Sequence, residues 1–446
     1  MITDTVRPVS AGLTLDRVQA AGSVGMTALP LGRDFRLLWS AAVASRFGDS
    51  LRTPALALLA ATLTRDPRAI AAVTVAGQLS PLLFGLLGGG YADRWDRRRA
   101  MAAVDGLRAA VVAALAVLVA TDRAGILVLA ATAALLATLG TLFDAASFAV
   151  LPALVPPAAL PTANGRLQAG TALAGGFLGA PLAGLLFTLA APLPFTLDAL
   201  TFATAALLLI SLRPAPIPRS CSCGPDEPGK KGRSEGHNCK IDAKRGVWAG
   251  VRFIRGEAVL WRVTVLSAGT NLAISGVMAV LVLYALEVLR VPAAGYGLFM
   301  TAVVAGGLGG ALGAGRIAGR LGTVPALRAV LAVQTVALAG FALARHPVAG
   351  GLTLAVFAAG STVWNSLWAA YGQGRVPAEL LGRVGAAQRV VALLTAPVGA
   401  ALAGLAGAAY GVAPVVGAAA AVFALVTLAA WRAPRSERDA RPAGAA

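Results

Sequence analysis

The fold is decided around residues 89–99, which read Gly89-Gly90-Tyr91-Ala92-Asp93-Arg94-Trp95-Asp96-Arg97-Arg98-Arg99. Apolar runs of membrane-spanning length flank this stretch, one near 71–92 and the other near 101–120. Because a spanning helix needs about 20 apolar residues, the stretch is predicted to be a short polar turn between two transmembrane helices. Gly89 allows these helices to approach closely, and the turn holds the Asp93 carboxylate beside a cluster of arginines at the membrane surface.

The composition of the whole chain also indicates a membrane protein. Of its 446 residues, 57% are hydrophobic and only 13% are charged, whereas a typical soluble domain has about 25% charged residues. A net charge of +18 would suggest nucleic-acid binding in a soluble protein. Here the arginines lie between apolar runs, so we expect them to set the orientation in the bilayer and expect no nucleic-acid partner.

The chain contains twelve apolar runs of spanning length. Six precede a polar central segment, near 37–63, 71–92, 101–120, 125–146, 167–189 and 195–212. Six follow it, near 263–286, 296–319, 325–343, 348–371, 384–407 and 412–431. The predicted fold is therefore an all-α membrane protein with twelve transmembrane helices in two six-helix halves.

The polar segments between the runs set the predicted orientation. If the N-terminus is cytoplasmic, most basic residues lie on the inner side, and the outer loops hold only Arg65, Arg68, Arg123, Arg290 and Arg345. By the positive-inside rule, both termini and the central loop are cytoplasmic, and we expect the inner membrane of a bacterium as the location. The predicted parts are a tail over 1–36, a half over 37–212, a central loop over 213–262, a half over 263–431 and a tail over 432–446.

The two halves resemble each other in sequence, which predicts a duplicated and pseudo-symmetric unit. Three matches recur in order at similar offsets: Phe143-Asp144 with Trp364-Asn365, Gly89 and Arg94 with Gly315 and Arg320, and Ala180-Pro181 with Ala396-Pro397. Secondary transporters are often built from such repeats, with the substrate site between them.

Residues 89–99 resemble motif A of the major facilitator superfamily, G-x-x-x-D-R-x-G-R-R/K, at every position except Asp96, where the family usually has Gly. The second copy, over 315–320, lacks the Asp. The resemblance implies two six-helix halves that alternate between inward-facing and outward-facing states. It also implies a latch between the halves, formed by Gly89, Asp93, Arg94, Arg97, Arg98, Asp144 and Arg383.

Two further stretches narrow this resemblance to a drug:proton antiporter branch that includes macrolide efflux proteins and the enterobactin exporter. Residues 45–49, Ser-Arg-Phe-Gly-Asp, resemble the S-x-x-G-D signature of that branch. The fifth run is similar to the antiporter motif of exporters, with Ala180 where Gly is usual. The motif residues carried over are Gly175, Gly179, Pro181 and Gly184.

Asp49 lies near the middle of the first run, where a charged side chain costs several kcal/mol unless it is paired or neutralised. Arg46 and Arg52 stand three residues to either side, on the same helical face. We considered a proton-coupling role for Asp49 with Arg46, a structural counter-ion role, and substrate contact. Asp49 is expected to be the only acid near mid-membrane, because Asp198 and Glu287 lie nearer the outer ends and can be hydrated.

Other polar residues also lie within the apolar runs. Asp105 and Arg108 are three residues apart in the third run, which predicts a local ion pair that braces helices. In the superfamily fold several spans line the central cavity, and this implies substrate contacts at Asp49, Asn271, Trp364, Asn365, Trp368 and Arg389. Aromatic faces suit large planar or amphipathic ligands, while packing between helices is an equally open role for the same residues.

The central loop holds all three cysteines of the chain. Cys221, Cys223, His237 and Cys239 supply four soft ligands, enough for Zn²⁺ or another thiophilic ion. Their spacing departs from the usual C-x₂₋₄-C pattern, so a polar linker with incidental thiols is the competing interpretation.

The predicted function is proton-driven export of small amphipathic compounds by alternating access. The expected partners are a small-molecule substrate, protons and the lipid bilayer, and we expect a monomer. The sequence has no Walker A run and no catalytic constellation, so we expect no cofactor and no enzymatic activity. Two alternatives are an uptake permease of the same fold and a metal-responsive membrane sensor that uses the Cys/His loop.

Overall fold

The computed structural model describes residues 32–87, 97–156, 159–213, 251–376 and 378–432. Within these ranges the chain is helical and contains no strand, which confirms the predicted all-α fold. The first half comprises α1 (Arg33–Leu63), α2 (Pro67–Leu87), α3 (Arg97–Ala120), α4 (Ile126–Leu154), α5 (Leu160–Leu173, a π-helical stretch Ala174–Gly179, and Ala180–Leu189) and α6 (Leu193–Ile210). The second half comprises α7 (Ala258–Leu283, with a π-helical stretch Tyr284–Val288), α8 (Ala293–Leu321), α9 (Thr323–Leu343), α10 (Pro347–Arg375), α11 (Ala378–Tyr410) and α12 (Val412–Arg432).

Ten of these helices, α3 to α12, are long and apolar enough to cross a membrane. Helices α1 and α2 have 31 and 21 residues. The middle of α1 carries Arg46, Asp49 and Arg52, which lower its mean hydropathy. The arrangement is consistent with twelve transmembrane helices, and that count stays a prediction.

Several helices extend beyond the boundaries that the sequence predicts. Helix α1 begins at Arg33, and the second half is helical from 251, inside the predicted central loop. Apolar side chains explain both extensions: Phe35 packs in one buried cluster at the start of α1, and Ile254 packs with Val384 in another. Residues 1–31, 214–250 and 433–446 lie outside the described residues.

The helices alternate in direction, so the bundle has two ends. At the end that we call the inner end, the Trp39 indole donates a hydrogen bond to the Arg166 carbonyl at 2.9 Å, and Arg98 donates to the Ile210 carbonyl at 3.0 Å. At the opposite end, called the outer end, the Tyr284 hydroxyl donates to the Phe341 carbonyl at 2.8 Å. These names follow the predicted orientation, in which the inner end is cytoplasmic.

Helix packing in the first half recurs in the second half, six helices later. Helices α1 and α3 both pack on α6, and α2 packs on α4; likewise α7 and α9 pack on α12, and α8 packs on α10. The halves meet along two pairs that the same shift relates, α2 with α11 and α5 with α8. This packing is what a duplicated six-helix unit requires, while the predicted domain limits stay a prediction.

Small residues bring the two halves close together toward the outer end. A Cβ at Gly297 of α8 would overlap the Ala180 carbonyl of α5, and one at Gly184 of α5 would lie 2.6 Å from the Ala294 carbonyl. A Cβ at Gly404 of α11 would lie 2.5 Å from the Ala71 side chain of α2. Such backbone-to-backbone approach is typical of helix contacts in membranes.

Candidate transport cavity

A cavity of about 980 Å³ lies between the two halves. Its wall near the outer end includes Ile70, Val282 and Tyr296, which are all buried. Toward the inner end it is lined by Arg46 and Asp144, whose side chains are 52% and 71% exposed. The cavity is therefore closed at the outer end and open toward the inner end.

Charged side chains of α1 face this cavity. Arg52 forms an ion pair with Asp49 one turn earlier, as the spacing of three residues allows. The Arg46 guanidinium lies 4.0 Å from Asp49 and 4.0 Å from Asp144 of α4. Asp49 thus lies between two arginines of its own helix, and Arg46 links α1 to α4.

Asp198 of α6 is the main departure from expectation, because its side chain is 0% exposed. The Arg52 Nε atom lies 3.4 Å from its carboxylate, and neither carboxylate oxygen has a hydrogen-bond partner among the described residues. Gly48 makes this contact possible, since a Cβ there would overlap Asp198 and Thr201. The prediction that Asp198 is hydrated is wrong, and so is the expectation that Asp49 is the only acid near mid-membrane.

Asp105 and Arg108 of α3 lie beside this group. Their side chains are buried, and an Arg108 nitrogen donates to an Asp105 oxygen at 3.2 Å. The Arg108 guanidinium also lies over the rings of Phe143 and Phe202, at 5.3 Å and 5.2 Å. Cation–π contacts of this kind stabilise a desolvated arginine, so Arg108 is held between α3, α4 and α6.

We refer to Asp49, Arg52, Asp105, Arg108 and Asp198 as the charged cluster. With every carboxylate ionised, it holds three negative and two positive charges. The adjacent pair of Arg46 and Asp144 adds one charge of each sign and leaves this imbalance unchanged. In that fully ionised state the cluster has one negative charge in excess, and a proton or a substrate cation would neutralise it.

The glycines of the antiporter motif position α5 against α1 and α8. A Cβ at Gly175 would lie 3.3 Å from the Arg46 side chain, and one at Gly179 would overlap Ser50. The π-helical stretch of α5 lies at this contact, and Pro181 is the second residue of the α-helix that follows it.

A one-residue insertion accounts for the π-helical stretch. Fifteen positions separate Gly165 from Ala180, whereas fourteen separate the matching Gly382 and Ala396 in α11, which is a regular α-helix. Single inserted residues produce such π-bulges, and these are frequent at functional sites.

A second cavity, of about 350 Å³, lies within the second half. Its lining includes Asn271, Trp364, Asn365 and Trp368, four of the predicted substrate contacts. The Asn271 amide donates to the Ala392 carbonyl and to the Thr395 hydroxyl, each at 2.9 Å. Here Asn271 also joins α7 to α11.

Other predicted site residues lie apart from these cavities or outside the described residues. Arg389 is exposed and lines neither of the two cavities. Arg98 donates to carbonyl groups of Ile210 and Leu212 at the end of α6, and Asp144 lies 4.0 Å from Arg46. Outside the described set lie Gly89, Asp93 and Arg94, the side chains of Arg97 and Arg383, and all of Cys221, Cys223, His237 and Cys239.

Comparison with known proteins addresses the fold. A family model described as Major Facilitator Superfamily matches residues 38–400. No curated protein matches the sequence. Among the described residues, no group of three or more His, Cys, Asp or Glu side chains could hold a metal ion.

Solved structures share the fold at low sequence identity. A bacterial homologue of the iron transporter ferroportin, in an inward-facing state, is 16% identical with a TM-score of 0.65, and covers 89% of this chain and 98% of its own. A bacterial homologue of the human lysosomal transporter Spinster, also inward-facing, is 12% identical with a TM-score of 0.70. The match covers 89% of this chain and 96% of that homologue. The nucleoside transporter NupG is 16% identical with a TM-score of 0.64, and the match covers 89% of this chain and 100% of NupG. With a family match over most of its length and this shared fold, the chain belongs to the Major Facilitator Superfamily and is a multi-pass membrane transporter.

Proposed function

We propose that the protein exports small amphipathic compounds in exchange for protons, by alternating access of its two halves. The observation that carries this proposal is the charged cluster, which has three carboxylates for two arginines, is largely buried and opens to the cavity at Asp49. Buried charges are costly in a membrane protein and mark ion or proton pathways. Proton uptake would neutralise the cluster, and proton release would restore its charge.

Asp49 is the carboxylate that exchanges the proton with the cavity. Asp49, Arg52 and Arg108 line the cavity, whereas Asp105 and Asp198 are fully buried behind them. When Asp49 is protonated, Arg52 loses one partner and is free to bind more closely to Asp198, 3.4 Å away. The protonation state of Asp49 would thus change the contact between α1 and α6, which pack against each other in the first half.

The direction of transport and the latch follow from the sequence resemblance to exporters. Motif A, with Gly89, Asp93, Arg94, Arg97 and Arg98, would hold the inner ends of the halves together in the outward-facing state. Asp144 and Arg383 would be its partners. The proposed setting is the inner membrane of a bacterium, with both termini cytoplasmic and one chain as the working unit.

Asp49→Asn tests the coupling role, because it keeps the side-chain shape and removes the proton site. We expect uptake of the dye Hoechst 33342 into inverted vesicles, which corresponds to export from the cell and is driven by an imposed pH gradient, to fall at least tenfold. Asp122→Asn is the matched control, since Asp122 is exposed in the outer α3–α4 loop, and it should export at the wild-type rate. Undiminished gradient-driven export by Asp49→Asn, in protein that folds and binds the dye normally, would remove Asp49 from the mechanism.

A further inference from the structure

We infer that the second-half cavity binds an uncharged, hydroxylated ring of the transported compound, and that this compound carries no anionic group. This inference rests on the proposed transport function and specifies its substrate class. We call this cavity the amide pocket; the residues that carry the argument are Thr264, Ser267, Asn271, Gln334, Trp364 and Trp368. Its volume of about 350 Å³ falls at the lower end of the range for ligand pockets, which suits one ring rather than a whole drug-sized molecule.

Two side chains that line the amide pocket carry hydroxyl groups without a hydrogen-bond partner among the described residues. The Thr264 Oγ1 and Ser267 Oγ atoms are buried and have no hydrogen-bond partner among the described residues. Buried polar atoms without a partner cost free energy, and a ligand that both donates and accepts hydrogen bonds would satisfy them. Hydroxyl groups do both.

The neighbouring amides are already held in place. Gln334 donates to the Ser361 hydroxyl at 2.8 Å, and Asn271 donates to two groups of α11. These bonds fix the orientation of both side chains, so the pocket does not need to reorganise when a ligand enters. Preformed polar groups of this kind provide specificity.

Aromatic rings form the apolar walls of the amide pocket. Trp368 stacks on Tyr371 with ring centroids 5.6 Å apart, and Phe357 meets Phe423 edge to face at 5.2 Å. Trp364 lines the same space. An indole face packs well against the C–H face of a sugar-like ring, whose hydroxyl groups then point sideways to the polar residues.

Charge distinguishes the amide pocket from the central cavity. No charged side chain lines the amide pocket within the described residues. A charged ligand group would lose its hydration there without gaining a counter-ion. The pocket therefore selects a neutral group.

Helix α7 contributes side chains to both cavities. Asn271, Ile274 and Met278 follow one another at helical spacing; the first two line the amide pocket, and Met278 lines the central cavity. A compound whose ring lies in the amide pocket would extend past Met278 toward the charged cluster. Because that cluster has three carboxylates for two arginines, it favours a compound whose remaining part is neutral or cationic.

A matched pair of probes tests this inference. 4-Nitrophenyl β-glucoside and 4-nitrophenyl β-glucuronide share both rings and differ in one group, a hydroxymethyl against a carboxylate. We expect the glucoside to quench tryptophan fluorescence of the purified protein saturably, in a detergent without a sugar headgroup and without any pH gradient. The glucuronide should bind at least tenfold more weakly.

Pocket variants assign the binding to this site. Thr264→Val with Ser267→Ala removes both free hydroxyl groups and should weaken glucoside binding about fivefold or more, since each hydrogen bond contributes about 0.5–1.5 kcal/mol. Thr353→Val is the matched control, because its hydroxyl bonds within α10 away from the pocket. Trp364→Phe with Trp368→Phe should remove most of the quenching.

Three results would overturn the inference: no saturable glucoside binding, equal binding of the glucuronide, or unchanged binding in the Thr264→Val, Ser267→Ala variant. The test is separable from that of the proposed function, because it uses equilibrium binding. Asp122→Asn, at an exposed position in the outer α3–α4 loop, should bind the glucoside normally. Binding without gradient-driven export would contradict only the proposed function, whereas gradient-driven export without glucoside binding would contradict only this inference.

Discussion

The charged cluster in the first half has a neutral counterpart at matching positions in the second half. Each helix of the cluster has a counterpart in the second half at a fixed distance along the chain. The buried positions of α3 recur in α9 after 226 residues, and those of α6 recur in α12 after 221 residues. Helix α1 matches α7 with a shift of 222 residues. These offsets pair Asp49 with Asn271, Arg52 with Ile274, Asp105 with Leu331, Arg108 with Gln334 and Asp198 with Ala419. Every charged residue of the cluster is thus replaced by an uncharged one.

The lack of charge at the matching positions of the second half indicates that the fold does not require these charges. In the second half the same helices are joined by neutral hydrogen bonds, such as Gln334 to Ser361 and Thr335 to Thr427, each at 2.8 Å. Buried ion pairs are often no more stabilising than apolar residues of similar volume. The first half therefore keeps its charges for a reason other than packing, and proton coupling is that reason in our proposal.

Asp198→Ala should have the largest effect on stability. The substitution introduces alanine, the residue type that the second half has at the matching position, Ala419. It also leaves Arg52 without its partner on α6. Removing one member of a buried pair costs about 3–5 kcal/mol. Thermal unfolding of the purified protein should show a correspondingly lower midpoint.

The second-half pair supplies the control for that experiment. Asp198→Ala combined with Arg52→Ile reproduces Ala419 and Ile274, and it removes both charges together. We expect this double variant to be more stable than Asp198→Ala alone, although it should not couple transport to protons. A double variant less stable than the single variant would show that the two halves do not tolerate the same residues.

Gln334→Arg makes the opposite exchange and should have the next largest effect. It introduces an arginine into the second half at the position that matches Arg108. There, Leu331 and Ala419 occupy the positions that match the acids Asp105 and Asp198. An arginine at the centre of a membrane helix costs about 2.5–3.5 kcal/mol on insertion scales. Unfolding measurements should show this loss, and adding Leu331→Asp should recover part of it, as Asp105 does for Arg108. No recovery would contradict the proposed match between α3 and α9.

Gly48→Ala should have an intermediate effect. The added Cβ would overlap Asp198 and Thr201, and its second-half counterpart is Thr270, where α7 has room for a side chain. Overpacking of this kind costs about 1–3 kcal/mol. Gly106→Ala is the control, because no atom lies within 4 Å of the added Cβ. It should be neutral or slightly stabilising, and equal losses in both variants would contradict the close packing of α1 on α6.

Local features of the cluster were predictable from the sequence, whereas its long-range contacts were not. Apolar runs of about 20 residues predict the helices, and spacing of three residues predicts that Arg46, Asp49 and Arg52 share a face. Asp198 lies 146 positions after Arg52 in the chain. Its burial depends on how α6 packs on α1, which helical periodicity does not specify.

Two signals in the sequence could have indicated more. Extending the internal repeat to every helix pairs Asp198 with the apolar Ala419, which indicates a buried position rather than a hydrated one. The same alignment reveals the extra residue between Gly165 and Ala180 that produces the π-helical stretch of α5. The amide pocket depends on side chains from five helices, and its polar residues resemble packing contacts until the structure brings them together.

Arg65→Ala should have the smallest effect, because it removes an exposed ion pair instead of a buried one. Arg65 lies 3.3 Å from Glu287 and joins the two halves at the outer end, with side chains 65% and 42% exposed. Exposed pairs contribute about 0.2–1 kcal/mol, so the ratio of closed to open states at the outer end should change by about fivefold at most. Distances between spin labels at Asp122→Cys and His346→Cys would measure this change, in protein whose native cysteines are replaced. Arg123→Ala is the control.

In 1 M salt the wild type should behave like the Arg65→Ala variant, since the screening length falls to about 3 Å. A shift above tenfold, or one that salt does not alter, would mean that this exposed pair acts together with the charged cluster, and the contrast between buried and exposed charges would fail.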